Sequence, residues 1–242
     1  MLRLILTFFV CAAFFGTAPT AKSATIHEFN DAVYDAYGYY RQALFYLRTG
    51  NPQVASIELE ELTAHWKAIV ERFAYSPPDV YSADPKWRNT ILDIDKRAAG
   101  GLKAALSNEA KAARKLLLPV RTMLSDLRRR NGVINFSDYV DKANAAFNEL
   151  WKFRHNPPDF ESQDQVDKLR RVLSITNYWI ERCRDNASAN IQDKPEFKRL
   201  IQTSLHAFNR IWGAIAEKKA DIIISVLRGQ RSTDRLLFLH FG

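Results

Sequence analysis

KLLLPVRTMLSDLRRRNG, Lys115 to Gly132, is the stretch from which the rest of the chain can be ordered. With Ala110 and Ala113 upstream, its Leu117, Val120, Leu124 and Leu127 recur at spacings of three and four, the period of one apolar helix face. The run ends in Arg128-Arg129-Arg130-Asn131-Gly132, cations followed by Asn-Gly, which is what a helix C-terminus favours. The same arrangement closes the chain in a helix predicted from Ala220 to Phe241. Leu117 and Leu227, Arg121 and Arg231, Leu127 and Leu237, and Gly132 and Gly242 all differ by 110. Further upstream, so do Pro85 and Pro195, Trp87 and Phe197, and Ile91 and Ile201. Pro119 has Gly229 as its counterpart, two helix-weakening residues at one depth, so a kink is expected in each copy.

Working outward, helices are expected over about 26–48, from Pro52 to about Phe73, from Asp84-Pro85 to about Leu106, and through the quoted stretch. In the first, Phe29, Val33, Ala36, Tyr40, Ala43 and Leu47 form the apolar face. In the second, Val54, Ile57, Glu61 or Leu62, His65 and Ile69 fall along one side. Gly100-Gly101 sits inside the third, where a close helix approach is expected rather than a break. Helices from Phe136 to Arg154, from Gln163 to Arg184, from Lys194-Pro195 onward and from Ala220 to Phe241 follow in the second half. Short breaks such as Thr49-Gly50-Asn51-Pro52 and Asn156-Pro157-Pro158 imply antiparallel neighbours. The expected fold class is therefore all-α: two tandem antiparallel four-helix bundles, residues 24–132 and 133–242, after a cleaved signal peptide at 1–23.

The signal is read from Arg3, the apolar run Leu4 to Phe15, and Ala21 and Ser23 ahead of Ala24, and it implies a periplasmic or secreted protein. The run is too short to span a bilayer, and no transmembrane segment is expected in the mature chain. Loss of Arg3 and Lys22 takes the net charge from +8 to +6. Cys183 is then the one remaining cysteine; it cannot close an intramolecular disulfide, and burial in a helix is expected over pairing between chains as a dimer.

In export, helix order and unit length the sequence resembles the cytochrome c-prime family. That family carries a Cys-x-x-Cys-His haem attachment near the end of its last helix, and the resemblance places the corresponding windows at Arg121–Ser125 and Arg231–Arg235. Neither window holds a cysteine or histidine. Covalent haem needs thiolates to add to the vinyl groups and an imidazole for iron, so the resemblance implies a duplicated member without covalent haem.

Three groups of residues carry candidate chemistry. Glu58, Glu61 and His65, at i, i+3 and i+7, would suit a divalent metal if Asp93, Asp31 or Asp35 joined them; the plainer reading is His65 packed beside Trp66 with solvated carboxylates. Met123 with a histidine could hold a non-covalent haem, against an ordinary core methionine. Arg128, Arg129 and Arg130, with Lys111, Arg114, Lys115 and Arg121 upstream, could attract anions, lipid head groups or an acidic partner, against a solvated helix end. Nucleic acid is not expected, because the charge is diluted by 27 acidic residues and no nucleic-acid motif is present. No Gly-rich phosphate loop, nucleophile elbow or His-Glu-x-x-His occurs. The expectation is an exported, non-enzymatic binding or interaction module with no cofactor, taking an unidentified periplasmic protein or small ligand. The alternative is a metal-binding or redox protein using the carboxylate–histidine group or a non-covalent haem.

Overall fold

The computed structural model describes residues 25–242, and the expected signal peptide lies outside them. Among the described residues there are nine α-helices and no strand. α1 (Ile26–Thr49) starts at Thr25, whose hydroxyl accepts from the Glu28 amide at 3.2 Å while Glu28 Oε2 accepts from the Thr25 amide at 2.9 Å. This reciprocal cap satisfies two of the amides that a helix start leaves free. α1 stops at Gly50, where φ is 81°, a conformation that glycine adopts without a Cβ penalty.

α2 (Pro52–Phe73) takes Pro52 at its first position. Asn51 precedes it but makes no side-chain cap; its amide donates instead to Thr49 Oγ1 at 3.2 Å. α3 (Trp87–Leu106) begins after a 3-10 turn at Asp79–Tyr81, and α4 (Ala110–Arg130) continues unbroken through Pro119. α5 (Phe136–Leu150) is shorter than expected, because residues 151–154 tighten into a 3-10 turn. α6 (Gln163–Asn186), the single-turn α7 (Ala189–Gln192), α8 (Pro195–Ala216) and α9 (Ala220–Phe241) complete the chain.

The helices close into two rings. α1 packs on α2, α2 on α3, α3 on α4 and α4 back on α1; likewise α5 packs on α6, α6 on α8, α8 on α9 and α9 on α5. Each ring has its own core. In the first, Phe29 lies edge-on to Phe73 (5.3 Å between centroids) and tilts against Trp87 at 4.9 Å. In the second, Phe197 meets Phe136 at 5.9 Å and Phe241 at 5.2 Å. Burying a side chain of this size contributes about 1.5–3 kcal/mol, so the aromatic clusters are major anchors. The two buried indoles keep their polar edges satisfied: Trp66 Nε1 donates to the Ile91 carbonyl at 3.0 Å and Trp87 Nε1 to the Phe73 carbonyl at 2.9 Å.

All six residues of the α1 apolar face are buried. The α2 face is corrected by about one residue: Val54 and Ile57 are exposed, and Ala55, Ser56, Leu59, Leu62, Trp66, Ile69 and Phe73 face inward. α2 carries two overlapping apolar rows, and the row that buries Trp66 removes more surface from water than the row through His65. Gly101 faces α4 so closely that a Cβ there would lie 3.0 Å from Leu117 Cγ, the close approach expected of the glycine pair.

The rings meet at α1, which touches both α4 and α9, and Phe238 of α9 packs against both cores.

Candidate functional site at the seam

Arginines on three helices converge where the rings meet. Arg41 and Arg48 on α1 are seven residues apart, as are Arg114 and Arg121 on α4. Seven residues is close to two turns, so each pair shares a face with its members roughly 10 Å apart along the axis. Arg231 and Arg235 on α9 are four apart and also share a face. Together these six side chains line a cleft of about 360 Å³, with Asp234 as its single carboxylate. Leu44, Phe45, Leu118 and Phe238 supply an apolar wall.

A chain of polar contacts fixes one side of this cleft. Arg121 pairs with Asp141, donates to Asn144 Oδ1 at 3.2 Å and stacks its guanidinium over the Phe238 ring at 4.2 Å. Asn144 passes the contact on by donating to Asp234 Oδ2 at 2.8 Å. Arg231 donates to the same oxygen at 3.3 Å and to Asn148 Oδ1 at 2.7 Å. Arg41, nearly fully buried, donates through one terminal nitrogen to the Gly242 carbonyl.

On the other side of the cleft Arg48 sits over the Phe45 ring, 5.4 Å from its centroid. Among the described residues Arg48, Arg114 and Arg235 make no ion pair. Burial lowers the Arg48 pKa, and the charges of Arg235, Arg114 and Arg231 push it the same way. Burial also lowers that of Arg41. The Tyr40 hydroxyl, Arg41 Nε and Arg231 Nε are buried without a hydrogen-bond partner. Each such atom costs about 1–3 kcal/mol unless something satisfies it.

The Asp234 carboxyl is pushed up to about 6 by burial, against the Asn144 hydrogen bond and the neighbouring guanidinium charges. Burial likewise raises Asp141, with Arg121 opposing it.

No protein-family model, curated protein or solved structure matches this chain.

The structure places the other candidate residues away from this seam or neutralises them. Arg128 is buried and makes a bidentate pair with Asp138, at 2.6 and 2.9 Å. Arg130 pairs with Asp84 at 2.6 Å, and Arg129 with Asp126 at 2.7 Å. Each arginine of the basic run is thus paired with a carboxylate of the chain, and the Arg129–Asp126 pair is exposed to solvent. Asp84 is worth noting: burial opposes its ionisation, but hydrogen bonds from Asn131, the Lys86 amide and Arg130 outweigh this and hold its pKa below the usual value.

His65 is half-exposed, with its ring 4.9 Å from that of Tyr39 and Nδ1 at 2.9 Å from the Glu61 carbonyl. Glu58 and His65 line a shallow groove with Asp35, and Glu61, outside that groove, holds its Oε2 3.9 Å from His65 Nδ1. Among the described residues no three His, Cys, Asp or Glu side chains gather closely enough to hold a metal ion, so the geometry does not bring Glu58, Glu61 and His65 together as ligands. Met123 packs half-buried against the first core. Cys183 is fully buried, and burial pushes its thiol up to about 12. No described helix is long and apolar enough to cross a membrane.

Arg114 and Arg121 are legible in the sequence as part of a basic helix. Arg41, Arg48 and Arg235 are not singled out by it; the signal for Arg41 and Arg48 is the seven-residue arginine spacing repeated on α1 and α4, which acquires meaning only when the two helices are placed side by side.

Proposed function

We propose that the chain is an exported, non-enzymatic binding module of two tandem four-helix bundles, residues 24–132 and 133–242. Its helix order is cytochrome c-prime-like, without covalent haem, and its ligand site is the seam cleft. Duplication is supported by equivalent positions in the two rings: Ile91 and Ile201, Leu117 and Leu227, and Leu127 and Leu237 are all buried. The two units would bury separate cores and share the seam, where Arg121 and its counterpart Arg231 face one cleft.

The observation that carries the binding reading is an open cleft of about 360 Å³ lined by six guanidinium groups, three of them outside any ion pair among the described residues, beside an apolar wall. Sites of this kind are concave, part apolar and furnished with a few convergent polar groups. Leu118 lies partly exposed on the cleft wall, so Leu118→Trp fills the cavity from a position that bears little of the core. Native mass spectrometry of the protein isolated from its own cell envelope is expected to show a bound small molecule that Leu118→Trp abolishes. A ligand-free wild type, or a ligand retained equally by Leu118→Trp, rejects the seam as the site.

A further inference from the structure

We infer that the seam cleft binds a small molecule bearing at least two oxyanion charges, a phosphoryl or polyphosphoryl group, with its carbon body against Phe45 and Leu118. This rests on the reading of the seam as the ligand site and specifies what that site takes.

Charge balance is the first argument. Six guanidinium groups line the cleft against Asp234 alone, and adjacent Asp141 neutralises only Arg121. Arg48, Arg114 and Arg235 remain without a counter-ion among the described residues, and the charges of Arg235 and Arg114 act against that of Arg48. Unpaired cations are held together here by the packing of three helices, and an anion supplied from outside would relieve their repulsion.

Geometry is the second. Arginine presents a planar fork of donors suited to bidentate contact with tetrahedral oxyanions. The free forks come from three directions, Arg48 from α1, Arg114 from α4 and Arg235 from α9. A monocarboxylate offers one charge and two oxygens in one plane, too few for three separate helices. A phosphoryl group offers three terminal oxygens in three directions, and a diphosphate more.

Third, Leu44, Phe45, Leu118 and Phe238 line the same cleft and offer apolar surface to the carbon body of such a ligand beside the guanidinium groups.

The chemistry is shared by a soluble phosphate ester and a phospholipid head group, and the two are separable. Calorimetry of the whole protein at low salt with inorganic pyrophosphate is expected to show 1:1 saturable binding that weakens as salt rises. Arg48→Gln and Arg235→Gln, both exposed and outside any ion pair, are expected to weaken it at least 10-fold. Arg129→Gln, exposed but remote from the cleft, should stay within twofold. Sodium acetate is expected to show no saturable binding. Sedimentation with phosphatidic acid vesicles then assigns the source: Arg235-dependent capture by vesicles identifies a head group, and pyrophosphate binding without vesicle capture identifies a free phosphate. Absence of saturable pyrophosphate and vesicle binding overturns the inference, as does equal weakening by Arg129→Gln and Arg235→Gln. If pyrophosphate and vesicles both fail while Leu118→Trp still removes an endogenous ligand, the anion assignment alone is lost and the seam site stands.

Discussion

Asn108 and Lys218 stand 110 residues apart and share a left-handed backbone, with φ of 62° and 53°, the two non-glycine residues with positive φ among those described. Each occupies the tight reversal between a ring's last two helices, α3 to α4 and α8 to α9. Most L residues lose about 1–2 kcal/mol there because Cβ crowds the following carbonyl, and asparagine is among the more tolerant. Recurrence of so costly a conformation at one spacing is hard to obtain from unrelated loops and supports the duplication proposed above.

The two sites should therefore respond differently to glycine. Lys218→Gly removes the steric cost and gives up one exposed ion pair to Glu161, itself worth little, so a gain of about 1 kcal/mol is expected. Asn108→Gly gains less and loses the hydrogen bond from Gln53 to Asn108 Oδ1, so it should be near neutral. Urea denaturation of the two variants measures this; a destabilised Lys218→Gly would show that the turn is not strained.

Arg128 of α4 and Asp138 of α5 make a bidentate pair between the two rings. Asp138 also accepts from the Asn135 amide at 2.9 Å, so it caps α5 while holding α4. Removing either partner strands the other in a poorly solvated place, which costs about 3–5 kcal/mol for a buried pair. Asp138→Ala and Arg128→Met are each expected to lower stability by about that much. The double variant should lose less than the sum, by 1 kcal/mol or more. Strict additivity in urea titrations would mean that the pair contributes no coupling.

How much of this was legible in the sequence follows from the range of each interaction. The α1 face could be read from Phe29 to Leu47 because a helix period is a local property, and the loops were marked by Gly50, Pro52 and Pro195. The α2 face could not be assigned cleanly, since choosing between the Val54–Ile57 row and the Leu59–Trp66 row requires knowing which neighbour offers the larger cavity. The basic run looked solvated because its carboxylates are remote: Asp84 lies 46 residues before Arg130. The seam was legible only as scattered arginines, because a cleft formed by α1, α4 and α9 has no contiguous motif.

Gly100 and Gly101 offer a test of helix approach. A Cβ at Gly100 would meet Leu116 at 3.4 Å, an ordinary contact with a partly exposed side chain, so Gly100→Ala is expected to stabilise by about 0.5–1 kcal/mol through helix propensity. Gly101→Val places its branches against Leu117, which is fully buried, and overpacking of this kind costs about 1–3 kcal/mol. Thermal melts should move in opposite directions. A Gly101→Val protein as stable as the wild type would show that α3 and α4 can separate freely.

Asp234 makes the seam sensitive to pH. Its carboxyl titrates at about 6 in the folded protein against 3.8 for the ordinary group, because burial among Asn144 and the guanidinium groups disfavours the anion more than their contacts favour it. A folded state with the higher pKa holds its proton where the unfolded chain has lost it. The associated stability is thus complete below about pH 4, falls as pH rises from about 4 to 6, and is gone above that. Two pH units correspond to about 3 kcal/mol at most. Asp234→Asn keeps the shape and removes the titration, so the stability of wild type relative to Asp234→Asn is expected to decline between pH 4 and 6 and to level off by pH 7. Urea midpoints at half-unit pH steps give this difference directly. A difference that is flat, or that grows with pH, would mean that Asp234 is ionised in the fold through this range, with its pairing to Arg231 outweighing its burial.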